Sequence, residues 1–523
     1  MKAYIETEGL VLKGQLPQLD DEENDLDMAS TMCCVPFAAV AVGKGENFDP
    51  IASDRSLIPY KSILWSEPTE SGVFDELEVS YARKVGHKTG VFTSVFTIAA
   101  GPKSSESSLI SSTVTDDSII LSEKLMARAY PDSKPGVSVL VLINPHGGKG
   151  LSLKIYNKEV EPFLRAAHCN LTVIKTKYSG HATDIAEEMD IDKFDLILCA
   201  SGDGIPHEVI NGLYKRSDRA KAFNKLVITQ VPAGSGNALS RSCLGTLEPS
   251  DAVLEILKGV TVRTDLMAVC SQDQPVIVSF LSQTYGIIAQ ADIGTEWMRW
   301  IGESRFDIGV LSQVLSGRSY PCTIAVKYIA RTIEELSDYY RIHMNDASND
   351  ADLDDDAFEL KYNDVFQETD DLCDISNLPG WEKLDDELCS NMGLLYSGKM
   401  PYVSKDTNFF PAALPHDGSM DIVVTDVRAG FFKTVDALLS LDKGLHVWTE
   451  EVTHSKVEAF RVIPRAKPGQ LPFISVDGEN FPFQPFQVEI MRGLMKTVMR
   501  DGSYTETGFL DNHRRMQLDS TTL

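Results

Sequence analysis

Several common sequence features are missing from this chain of 523 residues. It has no apolar run near 18 residues in length, so we expect no transmembrane helix. The acidic beginning of the chain lacks the apolar segment of a secretory signal, so we do not expect the protein to be secreted. Its nine cysteines form no C-x-x-C pair, which favours reduced thiols in a cytoplasmic protein over a disulfide or zinc framework. The spacing of a P-loop is also absent.

Positive charge is scarce as well. Lysine and arginine number 49 against 76 acidic residues, for a net charge of −27. This balance argues against nucleic acid as a partner and against general electrostatic docking on an anionic membrane. Residues 346–388 carry sixteen acidic residues and two lysines. Such a block predicts a disordered insertion, and calcium binding is the weaker interpretation because no EF-hand spacing is present.

One stretch, Val137 to Gly150, organises the rest of the chain. Its apolar, mostly β-branched beginning predicts a strand that is buried on both faces. The strand ends at Asn144-Pro145, and the glycines that follow allow a tight turn whose N–H groups can face an anion. A helix predicted from about Leu151 to His168 would add its positive N-terminal end. The stretch therefore indicates a phosphate site, although an ordinary strand–turn–helix is the alternative.

Alternating strands and helices follow as far as about residue 264, after which strands dominate. The fold class predicted is α/β: a Rossmann-like parallel-sheet domain at 136–264, then a mainly antiparallel β-sandwich domain at 265–505. We expect a disordered N-terminus at 1–35 and a small β-rich region with a linker at 36–118. Cys33 and Cys34 precede apolar residues, and both palmitoylated and unmodified cysteines fit that pattern.

The predicted strand at 195–200 ends in Ser201-Gly202-Asp203-Gly204. A carboxylate between two glycines at a strand end can accept a proton from a substrate hydroxyl, and it can also help to hold magnesium. A plain Asp-Gly turn is the alternative. A further glycine-rich loop, Ala233 to Asn237, follows the next predicted strand. Both loops fall at the edge where open α/β sheets bind ligands.

Taken together, the three loops resemble a known family. NPHGGKG, SGDGIPHEVINGL and VPAGSGNALSRS are similar to motifs of the catalytic domain shared by diacylglycerol kinases and sphingosine, or sphingoid long-chain base, kinases. The match is closer to the second group and covers about residues 137–500 apart from the acidic insertion. Residues 1–100 more loosely resemble the pleckstrin-homology-like region of fungal and plant members. The resemblance implies a nucleotide-binding first domain, a lipid-binding second domain, ATP and Mg²⁺ as cofactors and a sphingoid base as substrate.

The resemblance also implies roles for individual residues. Asp203 would be the catalytic base. The substrate would be contacted by Ser201, Gly202, Asp203, Gly204, Asp292 and Glu296. The nucleotide would be contacted by Asn144, Pro145, His146, Gly147, Gly148, Thr176, Lys177, Tyr178, Ser179, Gly180, Glu208, Gly234, Ser235, Gly236, Arg299, Arg305, Asp477, Gly478 and Glu479. The metal ligands stay open, and Gln290 departs from an acidic residue of animal sphingosine kinases.

The chemistry of the substrate agrees with this assignment. A sphingoid base carries an ammonium group, so carboxylates at its head group are favourable, whereas diacylglycerol has no cation to pair with Asp292. Apolar residues at helical spacing between Thr295 and Leu315 predict either a wall for the lipid tail or ordinary core packing. The alternatives in function are a diacylglycerol or related lipid kinase, and an inactive lipid-binding regulator. We expect peripheral membrane contact; the sequence fixes neither the oligomeric state nor the preferred base.

Overall fold

The computed structural model describes residues 2–13, 55–69, 76–98, 116–147, 150–295, 304–368, 371–376, 378–467, 469 and 472–521. The chain forms two compact units. The first consists of Met1–Val139, Leu153–Thr172 and Glu248–Val260, and the second of Leu140–Ser152, Val173–Leu247 and Thr261–Leu523.

The first unit is built on a six-stranded sheet in the order β3-β2-β1-β6-β5-β4. Its elements are β1 (Lys2–Ile5), β2 (Gly9–Lys13), β3 (Arg55–Pro59), β4 (Ile63–Pro68), β5 (Glu76–Val85), β6 (Lys88–Ile98) and α1 (Asp116–Ala129). Alternate residues of β5 are buried, and Leu125 of α1 joins the same apolar cluster. The predicted disorder of residues 1–35 is wrong for β1 and β2, because Ala3, Leu10 and Leu12 are fully buried in this cluster. Cys33 and Cys34 lie outside the described residues.

The predicted alternation of strands and helices is confirmed. It comprises β7 (Ser138–Ile143), α2 (Ser152–Ile155), α3 (Glu161–Ala166), β8 (Asn170–Lys175), α4 (His181–Glu188), β9 (Leu196–Ser201), α5 (Gly204–Lys215), α6 (Arg219–Lys225), β10 (Val227–Pro232), α7 (Ala238–Leu244) and α8 (Pro249–Lys258). β9 and β10 pair in parallel, with Pro232 opposite Ser201. The glycine-rich loops that follow these two strands therefore begin at the same level of the sheet.

Strands dominate the remainder of the chain, again as predicted. The elements are β11 (Val260–Ser271), β12 (Gln274–Ser279), β13 (Ser282–Gly286), α9 (Ile287–Asp292), α10 (Ser304–Ser316), β14 (Cys322–Ala330), α11 (Ile333–His343), α12 (Asn363–Glu368), β15 (Glu382–Lys383), α13 (Asp386–Ser390), β16 (Met392–Gly398), β17 (Tyr402–Ser404), β18 (Thr407–Asn408), β19 (Met420–Asp426), α14 (Phe431–Leu439), β20 (Val452–Pro464), β21 (Ile474–Val476), β22 (Glu479–Phe481), β23 (Phe486–Met499) and α15 (Phe509–Thr521).

A single 15-stranded sheet contains both the parallel and the antiparallel strands, and this confirms the α/β class. Its main path runs β22-β21-β13-β16-β19-β20-β23-β10-β9-β7-β8. The long strand β23 is the junction, because it pairs in parallel with β10 and antiparallel with β20. The exact domain boundaries stay a prediction. No helix within the described ranges is both long and apolar enough to cross a membrane.

The acidic segment 346–388 is not disordered where the structure describes it. Its side chains Phe358, Phe366, Leu378 and Trp381 are buried. The Arg461 guanidinium lies over the rings of Phe366 and Trp381, at 4.9 and 5.8 Å from their centroids. The prediction of disorder is wrong for these residues because the acidic side chains face solvent while a few widely spaced apolar side chains hold the segment on the second unit.

Candidate active site

Two of the glycine-rich loops, Ser201–Gly204 and Ala233–Asn237, touch each other through their backbones. A Cβ atom added at Gly234 would lie 2.2 Å from the Cα atom of Gly202, so only glycine permits this approach. The third loop, which follows β7 and contains Gly147, is connected to them by Ser152. The Oγ of Ser152 donates hydrogen bonds to the carbonyl oxygens of Gly147 (3.2 Å) and Ala233 (3.0 Å). The three loops predicted to act together are therefore neighbours in the second unit.

Asp203 lies between β9 and α5. Its carboxylate accepts hydrogen bonds from the backbone N–H of Ala238 (3.0 Å) and from Nε2 of Gln230 (3.2 Å). A Cβ atom at Gly236 would lie 2.8 Å from Oδ2 of Asp203, so glycine leaves one side of the carboxylate uncovered. Burial raises the pKa of Asp203 from 3.8 to about 6, against the opposing effect of these hydrogen bonds. The carboxylate is thus both fixed in place and more basic than an exposed one.

Glu208 fixes the loop Thr176–Gly180. Its two carboxylate oxygens accept hydrogen bonds of 2.9 Å from the backbone N–H groups of Gly180 and Ala182, at the start of α4. The predicted direct contact of Glu208 with nucleotide stays a prediction, and the structure gives this side chain a positioning role. The loop itself exposes Lys177, Tyr178 and Ser179 to solvent.

Asp477 is the centre of a buried hydrogen-bond network. Its carboxylate accepts bonds from the Oγ of Ser279 (2.5 Å) and from the backbone N–H groups of residues 280, 281 and 282 (3.2, 3.1 and 2.9 Å). The Nδ1 of His207 lies 2.8 Å from the same carboxylate. Burial lowers the pKa of His207, but the hydrogen bond and the charge of Asp477 outweigh this effect and raise it above 6.5. The nucleotide contact of Asp477 stays a prediction. The geometry makes Asp477 a positioning residue, because it holds the backbone of residues 280–282 and the ring of His207.

Asp292 is the last residue of α9, and its Oδ2 accepts a hydrogen bond of 3.1 Å from Oγ of Ser475. Gly478 and Glu479, both predicted to contact the nucleotide, lie where the chain turns from β21 into β22. A Cβ atom at Gly478 would lie 3.9 Å from Oδ2 of Asp292, and one at Gly204 would lie 3.7 Å from Oε1 of Glu479. Gly478 and Glu479 therefore connect the Asp292 carboxylate to the Asp203 loop.

The structure positions the remaining predicted residues as follows. Oδ1 of Asn144 accepts a hydrogen bond of 3.0 Å from the backbone N–H of His146, and Ser235 is exposed in its loop. Gly148, Glu296 and Arg299 lie outside the described residues, and the side chain of Arg305 does too. Their roles remain predictions.

An apolar cavity of about 560 Å³, mouth included, lies beside α9. Ile287 and Ile288 of α9, Val314 of α10 and Leu438 of α14 line it. Val310 and Val314 of α10 are both buried in the core cluster, as core packing predicts, and Val314 also lines the cavity. The lipid wall stays a prediction. Sequence reasoning missed α14, because its contribution depends on a contact between distant segments.

These features define the class of protein. The model of the diacylglycerol kinase catalytic domain matches residues 138–269, which contain the three glycine-rich loops. The chain is 44% identical over 437 residues to "Sphingoid long chain base kinase 5" of Saccharomyces cerevisiae, covering 74% of this chain and 63% of the relative.

Two further relatives extend the comparison. "Sphingoid long chain base kinase 4" of Schizosaccharomyces pombe is 32% identical over 84% of this chain and 87% of its own length. "Sphingosine kinase 1" of Arabidopsis thaliana is 32% identical over 65% of this chain and 68% of its own length. The chain belongs to the family of sphingoid long-chain base kinases. Its match spans slightly less than two thirds of the Saccharomyces relative.

Proposed function

We propose that this protein transfers the γ-phosphoryl group of ATP to the primary hydroxyl of a sphingoid base, giving the 1-phosphate. The observation that carries the proposal is the placement of two carboxylates. Asp203 lies among the glycine-rich loops, and Asp292 ends the helix whose Ile287 and Ile288 line an apolar cavity. A polar head and an apolar tail on one substrate molecule fit that arrangement.

Asp203 is the proton acceptor in this proposal. The substrate hydroxyl oxygen forms a bond to the γ-phosphorus, the bond from phosphorus to the bridging oxygen of ADP breaks, and the hydroxyl proton passes to Asp203. A carboxylate whose pKa is about 6 is mostly ionised at neutral pH yet is a stronger base than an exposed aspartate. The backbone N–H groups of the glycine-rich loops suit the phosphates of the nucleotide.

Magnesium fits this site as an ion carried by the nucleotide. Within the described ranges no group of three or more His, Cys, Asp or Glu side chains could hold a metal by itself. Mg²⁺ is commonly held by one or two carboxylates together with substrate phosphates, and Glu479, which lies beside the Asp203 loop, would supply one of them. When bound, the ion neutralises charge on the β- and γ-phosphates.

A sphingoid base is favoured over diacylglycerol because of Asp292. A carboxylate at the head-group end attracts the substrate ammonium, whereas a neutral lipid brings no positive charge to it. The test is phosphorylation by the purified protein, with labelled ATP, of sphingosine, dihydrosphingosine, phytosphingosine and diacylglycerol. Equal use of diacylglycerol and dihydrosphingosine would favour a diacylglycerol kinase, and no lipid-dependent ATP turnover would favour an inactive regulator.

Peripheral membrane contact belongs to the same proposal. Two of the three helices that line the cavity also carry apolar side chains in solvent: Leu315 of α10 is 65% exposed and Phe432 of α14 is 85% exposed. Co-sedimentation with neutral phosphatidylcholine vesicles should weaken in a Leu315→Glu, Phe432→Glu double variant. A matched control is Ile342→Glu, because Ile342 is 68% exposed on α11. Unchanged sedimentation of the double variant would contradict this contact.

The thiols are consistent with a cytoplasmic location. The seven cysteines within the described residues are all free. Free thiols are typical of reducing compartments.

A further inference from the structure

Tyr396 is a buried tyrosine that no sequence motif identified. It lies on β16, opposite Thr284 of β13 and Val423 of β19, and only 7% of it is exposed. Its ring packs against Phe409 and Phe410, with centroid separations of 4.5 and 5.2 Å. The ring is therefore held in one position by aromatic neighbours, and the hydroxyl group is held with it.

The hydroxyl of Tyr396 has a hydrogen to donate. It accepts a hydrogen bond of 3.4 Å from Oγ of Ser282. Among the residues that the structure describes, this is the one hydrogen bond of the Tyr396 side chain. That bond uses a lone pair of the phenolic oxygen and leaves the O–H proton available. Buried polar hydrogens usually have an acceptor, so a donor held in this way calls for a ligand.

The surroundings of the hydroxyl indicate what that ligand is. Burial raises the pKa of Tyr396, and the carboxylates of Asp292, Asp477 and Asp203 raise it further, so the phenol stays protonated and remains a donor. Leu394, two residues before it on the same strand, lines the apolar cavity. The ring of Tyr396 packs on Phe409, which also lines the cavity, and its hydroxyl meets Ser282, whose backbone N–H binds the Asp477 carboxylate, so the side chain joins the carboxylate network to the apolar space.

Along a sphingoid base, the polar groups occur in a fixed order. The primary hydroxyl on C1 is assigned to Asp203 and the amine on C2 to Asp292. The hydroxyl on C3 comes next, and the hydrocarbon tail follows it. A donor at the boundary between carboxylates and cavity matches the position of the C3 hydroxyl oxygen.

We infer that Tyr396 is a specificity-determining residue that donates a hydrogen bond to the C3 hydroxyl oxygen of the base. This inference rests on the proposed function and adds a recognition step to it. A base that lacks the C3 hydroxyl leaves the Tyr396 proton buried without an acceptor, and that loss is a basis for rejection.

The test compares two substrates that differ only at C3. Wild type and Tyr396→Phe are assayed with dihydrosphingosine and with its 3-deoxy analogue at saturating ATP, and the KM for ATP is measured separately at saturating dihydrosphingosine. We expect kcat/KM for dihydrosphingosine to fall about 3- to 10-fold in the variant, the value for the analogue to stay within twofold, and the KM for ATP to stay unchanged. Tyr402→Phe is the matched control, because Tyr402 is equally buried and its hydroxyl donates to the backbone of Glu506.

Each outcome is decisive. A variant that loses the same factor on both substrates would make Tyr396 a packing residue and overturn the inference. A wild-type protein that uses both substrates equally would overturn it without any variant, even if Tyr396→Phe fails to fold. Absence of activity on every sphingoid base would instead refute the proposed function.

Discussion

Replacement of Asp203 by asparagine tests the proposed chemistry most directly. Asparagine keeps the size of the side chain and can still accept a hydrogen bond from Ala238 or Gln230, but it cannot accept the proton of the substrate hydroxyl. Positioned general-base catalysis is worth about 10²- to 10⁴-fold, so kcat should fall by that factor. ATP binding, measured by calorimetry, should change little because the glycine-rich loops stay in place.

The same substitution should leave the folded state intact, which separates lost chemistry from lost structure. Holding Asp203 ionised at a pKa of about 6 rather than 3.8 costs at most about 3 kcal/mol at neutral pH. Asparagine removes that cost, but its NH₂ group then faces a backbone or side-chain donor, at a penalty of about 1–3 kcal/mol. The two effects offset, so the free energy of unfolding should stay within about 2 kcal/mol of wild type.

The raised pKa also predicts a pH dependence. Because the folded pKa of Asp203 lies above its unfolded value, its contribution to stability is fully present below pH 3.8 and is lost as the pH rises through about 6. Activity follows the opposite direction: kcat/KM should fall tenfold per pH unit below about 6, as the base becomes protonated. If the kcat of Asp203→Asn stays within tenfold of wild type, or if kcat/KM of the wild type falls only near pH 4, Asp203 is not the base.

Three further changes test other parts of the site and fold. Asp292→Asn should lower kcat/KM for sphingoid bases about 10- to 100-fold in steady-state assays, with the KM for ATP unchanged, because a charge-assisted contact is lost; an unchanged KM for the base would contradict the assignment. Gly234→Ala should abolish ATP binding, since its Cβ atom would meet Gly202 at 2.2 Å, whereas the control Gly90→Ala meets no atom closer than 3.4 Å. Phe366→Ala should lower the free energy of unfolding by about 3–5 kcal/mol in urea titrations, since Phe366 is fully buried; a smaller effect than 1 kcal/mol would show that segment 346–388 does not stabilise the fold.

Local patterns in the sequence were sufficient to predict the elements that carry Asp203. A short apolar strand followed by glycines is recognisable within ten residues, and the parallel pairing of β9 with β10 then brings Gly202 and Gly234 together. The network around Asp477 could not be predicted in the same way. Its partners at residues 279–282 lie almost two hundred positions earlier and contribute mainly backbone N–H groups, which leave no signature in the sequence.

The acidic segment shows a different limit of sequence reasoning. Net charge over 43 residues describes the solvent-facing side chains, while the packing of the segment depends on Phe358, Phe366, Leu378 and Trp381. These residues follow neither a helical nor a strand period, so no periodicity reveals them. Two of the rings, those of Phe366 and Trp381, are covered by the guanidinium of Arg461 from a distant strand.

The distribution of charge in the site has a consequence for binding. Three carboxylates, those of Asp203, Asp292 and Asp477, act on one buried tyrosine, in a site proposed to receive an anionic nucleotide. Each carboxylate is balanced in its own way. Asp477 is held by its hydrogen-bond donors and by His207, whose pKa is raised by the hydrogen bond to this carboxylate and by its charge. Burial raises the pKa of Asp203, and Asp292 accepts a hydrogen bond from Ser475. On the proposed function, the ammonium of the base and the metal-bound nucleotide bring opposite charges into the same site, so we expect each ligand to strengthen the binding of the other.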